Sequence, residues 1–129
     1  MEYLYFLANA TLTLRVIEHL ERMSYLKEAS MTVIHQIKGW IVRINLNNPL
    51  TIAQQGDFKA YLDELGIAYE PSLRMEMVFW SLDMGDSVIE VMRNYQVAIV
   101  SYGTPAPNDI KAFKEQFTKG LGYCPETLA

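Results

Sequence analysis

The chain has a single cysteine, Cys124, and that scarcity removes two chemistries at once. No intrachain disulfide can form and no thiolate cluster can hold a metal, so a reducing, cytoplasmic setting is expected. Histidine is nearly as scarce. His19 and His35 are the only two, and neither sits in a His-x-x-x-His or Glu-x-x-His spacing. No metal or cofactor is expected from them. The seven glycines are scattered, without the spacing of a phosphate-cradling loop. No Gly-x-Ser-x-Gly nucleophile turn is present, and Cys124 lies among Gly122, Tyr123 and Pro125 with only Lys119 near it in sequence. A basic footprint is missing too. Residues 1–60 carry six Lys/Arg against five Asp/Glu, and residues 61–129 carry five against ten. Nucleic acid and anionic membrane surfaces are therefore not expected partners. The apolar opening MEYLYFLANATL is too short to span a bilayer and lacks the basic start of a signal peptide.

What the chain does have is apolar material. Half of its 129 residues are hydrophobic and a fifth are charged. That suffices for one core without staples, and a small domain this apolar is expected to share some surface, most simply as a homo-oligomer. One domain is expected over residues 1–122, with 123–129 as a loose tail.

The decisive stretch is Met31–Leu46, MTVIHQIKGWIVRINL. Read as a hairpin, it turns at Lys38-Gly39, with Gly39 in a positive-φ position. Val33, His35 and Ile37 then share a face with Trp40, Val42 and Ile44, while Ile34, Gln36, Ile41 and Arg43 take the other. The same residues also draw a helical stripe, and the alternative is an all-α bundle on one long helix from Leu12 to Ile44. Interior Gly39 costs a helix ~1 kcal/mol relative to Ala, and seven β-branched residues lose rotamer freedom there. The hairpin is the favoured reading.

Around it, Tyr3–Leu7 reads as a strand, and Val16, Ile17, Leu20 and Met23 mark a helix. Asp57 is placed to cap a helix carrying Phe58, Tyr61, Leu62 and Leu65, with Gly66 as a left-handed cap and Ile67–Tyr69 as the strand after it. Leu73–Met84 fits strand or helix, with its leading Leu, Arg, Met and Glu favouring helix. Ser87 with Glu90 opens a helix to Tyr95, Gln96–Tyr102 reads as a buried strand, and Asn108 or Asp109 caps a last helix with Ile110, Phe113 and Phe117 inward before Gly120 and Gly122. The fold expected is α+β, an antiparallel sheet with helices on one face. Its first half has the β-α-β-β-α-β order of a ferredoxin-like sandwich.

Two regions stand out for function. The loop after the strand ending at Tyr102 offers Tyr102, Gly103, Thr104 and Asn108 near a helix N-terminus, a weak ligand-binding candidate. An enzyme with a pocket near Gly103–Asn108 is the alternative reading, but no catalytic constellation accompanies it. The second region is Met75, Met77, Phe79, Trp80 and Met84, with Met92 beyond, because methionine and tryptophan favour interfaces. If Leu73, Met77 and Trp80 face the core, Met75, Phe79 and Leu82 lie outside. The carboxylate pairs Asp63/Glu64 and Asp83/Asp86 read as a solvated face and capping groups. Together these features describe a binding, regulatory or assembly module acting through protein or small-ligand contacts.

Overall fold

The computed structural model describes residues 2–26, 29–36, 38–103, 107–112 and 115. Expectations for Ile37, Thr104, Phe113, Phe117, Gly120, Gly122, Cys124 and the tail 123–129 lie outside the described residues.

Met31–Leu46 forms the hairpin. β2 (Ser30–Gln36) pairs antiparallel with β3 (Gly39–Asn45), from Ser30 opposite Asn45 to Gln36 opposite Gly39. Gly39, expected in the turn itself, is already a strand residue, paired with Gln36. Its φ of +159° is positive, as expected of that glycine. Space demands glycine there as well. A Cβ on Gly39 would stand 2.6 Å from the carbonyl oxygen of Leu7 on the neighbouring strand.

That neighbour is β1 (Glu2–Leu7), which pairs antiparallel with β3 on one side and with the two-residue β4 (Ile67–Ala68) on the other. Between these strands lie α1 (Ala10–Arg22) and α2 (Ile52–Leu65). The order β4-β1-β3-β2 gives the first six elements a ferredoxin-like topology, and β5 (Ala98–Gly103) extends the sheet beside β2. The long-helix alternative fails at Met23, whose φ of −84° and ψ of 121° leave the helix.

The helix ends correct two expectations. Asp57 does not start α2, because Thr51 and Gln54 form a complete capping box six residues upstream. Gly56 and Asp57 both sit inside the helix. Gly66 is extended, not left-handed. A side chain there would collide with the carbonyl of Phe6 and the side chain of Leu7. Gly39 and Gly66 thus let β1 fit closely between both of its neighbours.

The sheet is covered on both sides. α1 and α2 lie on the Trp40 face, where Val16, Ile17, Leu20, Phe58 and Leu62 pack with Trp40, Val42 and Ile44. Helices on one face were expected of the whole sheet, and only the first half of the chain keeps to that. The second half adds another layer, α3 (Leu73–Asp83) and α4 (Val88–Tyr95), across Ile34 and Ile41. β3 is consequently buried from Gly39 through Ile44. Its near-continuous apolar run answers to two cores, where a strand wetted on one side would alternate. Residues 107–112 are helical and bring Ile110 into the first core. No described helix is long and apolar enough to cross a membrane.

Candidate functional site: the outer face of α3 and the Arg43 cleft

α3 begins at Ser72, whose hydroxyl accepts from Met75 N–H at 3.3 Å. Its sequence, LRMEMVFWSLD, carries two apolar stripes on opposite sides, separated by Arg74 with Ser81 and by Glu76 with Asp83. The sheet selects one face. Met75, Val78, Phe79 and Leu82 enter the core with Ile34, Ile41 and Val91. The stripe expected to face inward instead faces solvent: Leu73 is 75 %, Met77 40 %, Trp80 57 % and Met84 65 % exposed. Of the five residues expected at an interface, Met75 and Phe79 are core residues, and Met77, Trp80 and Met84 remain available. Ile89 on α4 is exposed as well. Steps of four, three and four place Leu73, Met77, Trp80 and Met84 on one side of the helix, a continuous apolar ridge.

At its C-terminal end α3 is tied to the sheet by a charge. Arg43, in the middle of β3, is 7 % exposed. Its Nη1 and Nη2 donate to the two Asp83 carboxylate oxygens at 2.8 and 2.7 Å, and Nη2 also donates to Glu2 Oε2 at 3.1 Å. The guanidinium carbon lies 5.1 Å from the ring centroid of Phe79. The hydrogen bonds to Asp83 raise the Arg43 pKa, burial opposes them, and Glu2 reinforces them. Asp83 is therefore more than the capping group its place beside Gly85 suggested.

A polar cleft of about 270 Å³ opens beside this pair, lined by Thr32, Asn45, Tyr102 and Gly103 as well as Arg43 and Asp83. Tyr102 donates from its hydroxyl to the Leu82 carbonyl at 3.2 Å, anchoring the end of α3 to β5. Two of the four ligand candidates read from the sequence thus meet an unforeseen ion pair. Asn108 is exposed on the helical residues 107–112 and is not among the described lining residues. Arg43 was the missed member, and its signal was visible: a charge flanked by Val42 and Ile44, away from the turn that accounts for Lys38. The arrangement joins elements firmly, but two carboxylates already neutralise the guanidinium, which leaves little attraction for an added anion.

The histidines stand apart from both features. His19 stacks on Tyr61 with ring centroids 3.8 Å apart, and its pKa is lowered by burial and then by Arg22. His35 packs edge-on to Trp40, and burial lowers its pKa to about 4. Asp63 is not simply solvated. It accepts from Tyr5 Oη at 2.5 Å and from Lys59 Nζ at 2.8 Å, fastening α2 to β1. Among the described residues, no group of three or more His, Cys, Asp and Glu is placed to hold a metal. No family model matches the chain, and no curated protein or solved structure matches it either.

Proposed function

We propose that this protein works by binding, as a regulatory or assembly module that docks on another protein through the outer face of α3. The observation that carries this reading is the ridge Leu73–Met77–Trp80–Met84, left in solvent while the opposite side of the same helix fills the core. Burying Leu73, Trp80 and Met84 against a partner would contribute roughly 5–9 kcal/mol before the cost of association is subtracted. That margin suits a reversible contact.

Charge selects the partner. Residues 70–93 carry Glu70, Glu76, Asp83, Asp86 and Glu90 against Arg74 and Arg93. An apolar segment flanked by Lys or Arg complements this surface. A second copy of the chain would bring the same carboxylates together, so self-association through this ridge is opposed at low salt and strengthens with ionic strength. The lone cysteine is consistent with work in a reducing cytoplasm.

The test uses two synthetic amphipathic helices, one of Leu and Lys and one of Leu and Glu, titrated at low salt. The lysine peptide is expected to bind and change the fluorescence of exposed Trp80, the glutamate peptide to bind at least about tenfold more weakly. The paired substitution Trp80→Ser with Met84→Ser should weaken binding while leaving the unfolding midpoint nearly unchanged. Equal affinity for both peptides, or binding indifferent to the substitutions, would overturn the reading. Light scattering adds a second check: a stable dimer at low salt that survives the substitutions places the main contact elsewhere.

A further inference from the structure

A larger recess lies where β2 and β5 meet the open end of the α3–α4 layer. Phe6, Tyr69 and Val97 supply its apolar lining, and Lys38, Arg74 and Gln96 stand among its polar residues. Its volume is about 570 Å³, within the range of sites that hold small organic molecules.

Its charge runs against that of the chain. The protein as a whole is at −4, yet among the described residues no acidic side chain lines this recess. Lys38 is exposed and has no ion-pair partner among the described residues. Arg74 uses its donors on carbonyl oxygens: Nε on Tyr95 at 2.8 Å, and Nη2 on Tyr95 and, at 2.6 Å, on Gln96. These bonds satisfy the guanidinium without cancelling its charge. His35, which also lines the recess, is held neutral near pH 7 by its lowered pKa.

The backbone provides a second, independent observation. Gln96 has φ 53° and ψ 52°, and it is the sole described non-glycine residue with positive φ. Such a conformation persists only where its surroundings impose it. Here Arg74 holds the carbonyls of Tyr95 and Gln96 and fixes the end of α4. The recess is thereby shaped before any ligand arrives. The Gln36 amide donates from Nε2 to Met75 Sδ, a weak acceptor, at 3.4 Å and keeps donor capacity to spare.

We propose that this recess binds a small organic anion with a flat apolar body. Lys38 and the side-chain amides of Gln36 and Gln96 meet the anionic group, Arg74 adds its field, and the ring lies against Phe6 and Tyr69. This site is separate from the outer ridge of α3, and its occupancy does not depend on docking there.

Amide-resolved NMR titration with 1-naphthoate and with phenyl phosphate tests the proposal, using neutral 1-naphthamide and inorganic phosphate as the matched controls. Saturable shifts are expected at residues 36, 38, 69, 74 and 96–98 with both aromatic anions. Naphthamide should bind about tenfold more weakly, the scale of one charge-assisted contact. Lys38→Glu should weaken naphthoate by at least as much, and Lys38→Arg should restore it. Both variants change an exposed residue, and their dispersed spectra report that the fold is retained. Naphthamide binding as tightly as naphthoate would overturn the proposal. So would inorganic phosphate competing as well as phenyl phosphate, shifts centred on Leu73 and Trp80, or no saturable shift with either aromatic anion.

Discussion

Asp83 grips Arg43 through two parallel hydrogen bonds, which join the last residue of α3 to the middle of the central strand. The two ends are unequal. Arg43 is almost wholly buried, whereas half of the Asp83 side chain is open to water. Removing Asp83 alone strands a desolvated cation with Glu2 as its remaining carboxylate, so Asp83→Ala is expected to cost about 2 kcal/mol. Arg43→Met removes the charge and keeps the volume, and should cost less than about 1 kcal/mol. In the double variant the Asp83 penalty should largely vanish. Urea unfolding of the four proteins checks this cycle, and two single costs that simply add would contradict it.

The glycines separate by what surrounds them. Gly39→Ala must push against the Leu7 carbonyl, and Gly66→Ala against that of Phe6; backbone in the middle of a sheet yields little. Each is expected to lose about 1–3 kcal/mol. Gly56 is helical and has open space where a Cβ would go. Gly56→Ala should instead gain up to about 1 kcal/mol. Denaturant midpoints measured together test the signs, and a stabilising Gly66→Ala would show that β1 and β4 are not so closely fitted.

Acid should weaken the fold partly through His35. Burial depresses its pKa from 6.5 in the unfolded chain to about 4 in the folded one. Between those values the unfolded state binds the additional proton, so stability rises with pH across the window. The contribution is fully present above pH 6.5 and is lost as pH falls through about 4. His35→Gln should flatten the stability profile in that interval relative to the native chain. An unchanged slope would mean that other groups, such as His19 with its similarly lowered pKa, carry it.

Much of the architecture was legible because β2 and β3 are rich in β-branched residues, and because two glycines and a capping serine punctuate the rest. The Ser87 start of α4 and the alternation of Val33, Trp40 and Val42 against Ile34 and Ile41 were readable for that reason. α3 was read as a helix but turned the wrong way round. Leu73, Met77 and Trp80 are as apolar as Met75, Phe79 and Leu82, so hydrophobicity could not choose between the two stripes. The choice belongs to Ile34 and Ile41, more than thirty residues upstream. The start of α2 was misplaced for a different reason: Thr51-x-x-Gln54 was written in the chain, but Asp57, itself a good capping residue, stands directly before Phe58. Gly39 was recognised from a positive φ that it does carry and Gly66 from one that it does not, and at both positions β1 adds a steric demand that no local pattern records. The second helical layer was hidden for the same reason as the Arg43 cleft. Both are made by residues far apart in sequence, and no local pattern records which face of the sheet a later helix will cover.

β3 has strands on either side and a helical layer over each face. Its peptide protons can reach water only if a layer lifts away and the neighbouring strands part. β4 offers only two paired positions at the rim of the sheet. Solvent exchange should therefore spread inward from β4 and arrive last at Ile41 and Val42, so the slowest amides mark the region whose opening is the unfolding of the whole protein.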